Sequence, residues 1–162
     1  MEYPEIAIQG LINSIDDDQE AYKWLSTSNW KELAAFADVF CSEDLKALQF
    51  LLSNKNKFST IVNFLAALQK EDKAFDLLMK ENDREWAAVV AVLHGSEEAY
   101  DWLIKNNFQI YANLADVLIK NIPSGHSGIG SYGGGGGFGG SGGGFGGIGG
   151  GSFGGAGSGV SW

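Results

Sequence analysis

Few side chains in this sequence are able to do chemistry, and they are scattered. A thiol nucleophile needs a histidine as base and a third group to orient it. The chain has one cysteine, Cys41, and two histidines, His94 and His126. Cys41 follows Phe40 at the end of an apolar stripe and reads as a small core filler. His94 stands beside Gly95 at a helix end, where an imidazole faces the negative end of the helix dipole. His126 lies among glycines and serines. No suitably spaced carboxylate or second sulfur accompanies either histidine, so neither completes a metal-ligand set. Asp16-Asp17-Asp18 gathers three carboxylates, but a calcium loop alternates its ligands around a glycine and closes on a glutamate. Three carboxylates just before a helix read as its cap. The expectation is a protein with no catalytic residue, no metal and no cofactor, and not an enzyme.

Charge narrows the partners. The chain carries 20 acidic and 11 basic residues, a net charge of −9, and every charge lies at or before Lys120. Such a body is repelled by nucleic acid and by anionic lipid. Arg84 is the only arginine, too few for bidentate phosphate recognition. Nucleic acid is therefore not expected as a partner. A basic or amphipathic protein segment is the complementary choice. No uncharged apolar stretch reaches the length of a membrane span. Met1–Glu5 has no positively charged leader segment, so the expected address is the cytoplasm, with leaderless export left open.

These residues are carried on a repeated element. Ala21–Phe40 (AYKWLSTSNWKELAAFADVF) and Ala99–Leu118 (AYDWLIKNNFQIYANLADVL) align without a gap, as does Ala74–Leu93 (AFDLLMKENDREWAAVVAVL). Ala47–Leu68 is a fourth copy, two residues longer at the Ser53–Lys57 turn. Each unit fits two short helices. The first helix carries an apolar pair: Trp24/Leu25, Phe50/Leu51, Leu77/Leu78 and Trp102/Leu103. The second carries apolar residues at 0, 3, 4 and 7, as in Leu33/Phe36/Ala37/Phe40 or Trp86/Val89/Val90/Leu93, the stripe of an amphipathic helix. Ile8, Leu11, Ile12 and Ile15 repeat that second stripe, so residues 5–15 form a half repeat that caps the row. The spacing predicts an all-α body, residues 1–122, of about nine short helices in four and a half helical hairpins, stacked at right angles or as a solenoid. Ser42, Asn82 and Ser96 are the expected N-caps, and Gly95 an expected left-handed C-cap. Trp24, Trp86 and Trp102 fall on apolar positions of the repeat and are expected in the core. Trp30 occupies a less constrained position, shared with Phe58 and Phe108. These three are candidates for an exposed aromatic edge that meets a partner.

Of the 24 glycines, 22 fall in the last 38 positions. Residues 123–162 therefore form a second region, a glycine-rich, non-globular, charge-free tail with no side chains for a core of its own. Unlike a plain linker it carries Tyr132, Phe138, Phe145, Phe153 and Trp162 at gaps of six to nine residues, with Ile148 among them. Regularly spaced apolar groups without charge make a cohesive chain. The tail is accordingly expected to drive association of the protein with itself. Its closing stretch, GGIGGGSFGGAGSGVSW, resembles the glycine-rich, Phe-dotted, Trp-ended tails of some bacterial proteins, including TPM-domain proteins. That resemblance implies a bacterial source; the body shows neither the membrane segment nor the mixed α/β domain of those proteins. The body is similar to short helical-hairpin repeats of no named family. The leading expectation is a non-catalytic structural protein whose acidic body is the rigid unit and whose tail assembles copies into filaments or condensates. The alternative is an intracellular adaptor whose helical array binds a partner segment, with the tail as tether.

Overall fold

The computed structural model describes residues 3–122, and the expectations placed on the tail lie outside the described residues. Among the described residues the chain forms nine α-helices: α1 Glu5–Ile15, α2 Gln19–Thr27, α3 Lys31–Ser42, α4 Leu45–Ser53, α5 Ser59–Leu68, α6 Asp72–Lys80, α7 Arg84–Leu93, α8 Glu97–Lys105 and α9 Gln109–Lys120. The half repeat is α1, and each copy of the repeat is one hairpin: α2/α3, α4/α5, α6/α7 and α8/α9.

Local chemistry sets the boundaries. Asp18 accepts from the amides of Glu20 and Ala21, so the last residue of the acidic triplet does cap α2. Ser96 accepts from the Ala99 amide and caps α8. Two expected caps move. The cap of α4 is Asp44, which accepts from the amides of Lys46 and Ala47, because α3 runs on through Ser42 and Glu43 turns left-handed. Asn82 is likewise left-handed (φ 67°) and links α6 to α7. Gly95 (φ 95°) closes α7 as expected. Around it the Ser96 amide donates to the Ala91 carbonyl and the Gly95 amide to that of Val92, the paired bonds of a Schellman turn.

The second-helix stripes point inward. Leu33, Phe36, Ile61, Phe64, Trp86, Val89, Leu114 and Leu118 are fully buried, and Ile8 and Leu11 of α1 join them. The stripes meet across neighbouring helices: the Phe36 and Phe64 rings lie 5.2 Å apart and those of Trp86 and Tyr111 5.4 Å, each pair at equivalent positions, and Phe64 reaches Trp86 at 4.8 Å. The odd-numbered helices therefore run side by side in the same direction. Each even-numbered helix lies outside, bridging the inner helices before and after it.

The row does not stay open. α1 contacts α3, α3 contacts α5, α5 contacts α7, α7 contacts α9, and α9 packs directly against α1. At this seam, which no outer helix covers, Lys120 Nζ meets Asp16 Oδ1 at 2.6 Å. The expected solenoid-like row is a closed ring of five inner helices around one core, and the half repeat both starts and completes it.

Candidate functional site

The residues singled out for chemistry do not converge. Cys41 is exposed at the end of α3 rather than filling the core. Partial desolvation, with the carboxylates of Asp17 and Asp38, pushes its thiol pKa up, away from the thiolate a nucleophile needs. His94, the C-cap of α7, is pushed down to about 4: burial dominates over the helix end that would favour its charge. Its surroundings are Leu68, Lys70 and Asp72, none of them shared with Cys41. Among the described residues no group of three His, Cys, Asp or Glu side chains is placed to hold a metal ion. None of the described helices is long and apolar enough to cross a membrane.

The aromatic candidates turn inward. Trp30, Phe58 and Phe108 are the residues preceding α3, α5 and α9, and they do not form one exposed edge. Trp30 packs edge-on against Tyr3, Phe58 is buried beside Phe50, and Phe108 stacks on Trp102, over whose ring the Arg84 guanidinium sits. Trp86 is fully buried, as expected, but Trp24 is 40% exposed. In an outer helix only one face has a neighbour. The second residue of each apolar pair (Leu25, Leu51, Leu78, Leu103) is buried, and the first is turned by 100° toward the surface. Trp24 lies on α1 at Gly10, where a Cβ would come within 3.0 Å of its ring.

One end of the ring is polar inside. There the N-terminal ends of the inner helices gather Tyr3, Glu32, Thr60 and Asp83, all buried. Thr60 Oγ1 donates to Asp83 Oδ2 at 2.7 Å and ties α5 to α7. Helix N-termini favour these carboxylates. Burial, with Glu32 and Asp83 nearby, pushes the Tyr3 phenol pKa up, so its hydroxyl stays protonated. The Thr60–Asp83 bond pins the ring at this end.

A groove of about 320 Å³ beside α8 and α9 is lined by Ser96, Glu97, Tyr100, Asp101 and Asp116, and a more apolar one emerges when the four hairpins are superimposed by sequence. Their second residues are Tyr22, Leu48, Phe75 and Tyr100, and the facing residues in the second helix are Asp38, Ala66, Ala91 and Asp116. In the first hairpin Tyr22 Oη donates to Asp38 Oδ2 at 2.8 Å, and in the last Tyr100 Oη donates to Asp116 Oδ2 at 3.2 Å. In the third, Phe75 is buried. The α4/α5 hairpin has neither device. Leu48 faces Ala66, and a groove of about 360 Å³ runs between α3, α4 and α5, floored by Leu51 and walled by Val39, Val62 and Leu65. Leu45 and Leu52 stand on it 77% and 50% exposed, and Glu43, Asp44 and Glu71 are also on it. α4 leans on α3 and touches its own partner α5 only lightly, and α3 and α5 are the most weakly joined neighbours in the ring.

These groove residues were not among the candidates read from the sequence. The signal was present in the alignment of the copies: a Tyr–Asp pair kept in two of them and replaced by Leu–Ala in the longer one. Comparison with known proteins finds no matching family model, no matching curated protein and no matching solved structure.

Proposed function

We propose that this is a non-catalytic, self-associating protein: the acidic helical body is a rigid unit, and the glycine-aromatic tail joins copies into filaments or condensates. The observation that carries this reading is the closed ring. An open row of hairpins can extend by stacking end on end, whereas here α9 already covers α1. Residues 3–122 close on themselves around one core, so cohesion between copies falls to what lies outside the ring, and the tail is the one part of the sequence with spaced aromatics and no charge.

Full-length protein is expected to form sedimenting assemblies, while residues 1–122 alone remain monomeric. Because bodies of net charge −9 repel one another, sedimentation should increase as salt rises. Equal sedimentation of the two forms would sink the proposal.

The apolar groove with its acidic neighbours favours a second reading, an adaptor that takes a basic amphipathic segment from another protein. Under that reading, partner capture depends on Leu45 and Leu48 and survives removal of residues 123–162.

A further inference from the structure

We infer that the α4/α5 groove is the receptor for the aromatic side chains of a second copy's tail, so that copies join head to tail. The inference rests on the self-association reading and names the surface on which the tail acts.

Three observations select the occupant. First, this groove is lined mainly by apolar side chains, whereas the equivalent groove of about 320 Å³ beside α8 and α9 is lined by Ser96, Glu97, Tyr100, Asp101 and Asp116; in the first hairpin Tyr22 is bonded to Asp38, and in the third Phe75 is buried. It therefore suits an uncharged apolar insert. Second, Glu43, Asp44 and Glu71 beside it disfavour the acidic surface of another body, but not a segment without charge. Residues 123–162 are the only long charge-free stretch of the chain, and glycines flank Phe138 and Phe145, so each ring enters a slot without neighbouring side chains striking its walls. Third, the tail leaves from α9, which borders α1 and α7, whereas the groove belongs to α4, which borders α3 and α5. Exit and groove thus lie across the ring from each other.

Phe145 follows Ile122 by 23 residues, a reach of up to roughly 80 Å if extended, enough to enter a neighbouring copy. A contact between two different surfaces of the same chain is heterologous, and unless it closes into a ring it propagates as a filament. Several aromatic residues per tail add avidity to a weak single insertion.

The test uses full-length protein. Leu48→Tyr with Ala66→Asp installs in the second hairpin the polar pair found in the first and the last. Leu45→Lys instead places a charge at an exposed position on the groove. Each is expected to raise the concentration needed for sedimentation at least tenfold, with a melting curve like that of the unaltered chain. If the double variant fails to fold, Leu45→Lys decides. Sedimentation at unchanged concentrations overturns the inference while leaving self-association intact. Failure of the unaltered chain to sediment overturns both. A photo-crosslinker in place of Phe145, in a mixture of isotopically light and heavy copies, is expected to link light tails to heavy α4. Links confined to single chains would mean that each tail occupies its own groove, and would overturn the head-to-tail joint.

Discussion

Single residues show where a linear stripe informs and where it misleads. The second-helix stripe places Trp86, Phe36 and Phe64 in the core because an inner helix has neighbours on most sides. The same reasoning fails at Trp24 and Cys41, since an outer helix or a helix end has cover on one side only. His94 is the more instructive case. Its place at a helix end is legible in the sequence, but the packing that pushes its pKa down to about 4 is not. Burial is the main cause and the Lys70 ammonium acts in the same direction; the Leu68 backbone and the Asp72 carboxylate oppose them. A folded pKa below the unfolded value means that His94 supports the fold fully above about pH 6.5, and that this support is lost as pH falls toward 4. The loss is on the order of 3 kcal/mol. Urea midpoints at pH 7, 5 and 4 should fall accordingly, and His94→Gln should flatten that part of the profile. Asp16, held below the ordinary carboxylate range by Lys120, contributes in a lower pH window, and little, because the pair is exposed.

At the scale of elements, the α1 span 5–15 and the four hairpins follow directly from apolar spacing, whereas several junctions do not. Besides α3, which ends at the left-handed Glu43, five helices (α1, α5, α6, α7 and α8) end in a left-handed residue: Asp17, Lys70, Asn82, Gly95 and Asn107. Each turn carries the same paired backbone bonds or the longer of the two, as from Glu71 to Ala66 and from Asp83 to Leu78. Only one of the five is glycine, so the usual sequence mark of a helix end is missing at four junctions, and Asn82 reads as an N-cap. Left-handed backbone costs an L-residue roughly 1–2 kcal/mol. Allowing for the extra freedom of glycine in the unfolded chain, Lys70→Gly should stabilise the body by about 0.5–1 kcal/mol. Gly95→Ala should destabilise it by about 1 kcal/mol. Denaturant midpoints of the two variants moving in the same direction would contradict this account of the turns.

For the whole molecule, the sequence period reveals how many hairpins there are but not the rotation from one to the next. Closure of α9 on α1 depends on that rotation, which arises from side-chain volumes at each inner contact rather than from any motif. The groove escapes notice for a related reason: it is a departure from the repeat, visible only once the Tyr–Asp pairs of the first and last hairpins are seen to make the equivalent surface polar. In the proposed assembly the closed ring has no end to stack, and the tail is the insert that the groove receives. The most direct measurement is a calorimetric titration of residues 1–122 with residues 123–162 carried on an inert soluble protein. The expected result is saturable binding at one site per body, abolished when the body carries Leu48→Tyr and Ala66→Asp. No heat of binding, or binding unchanged by that double variant, would contradict the account.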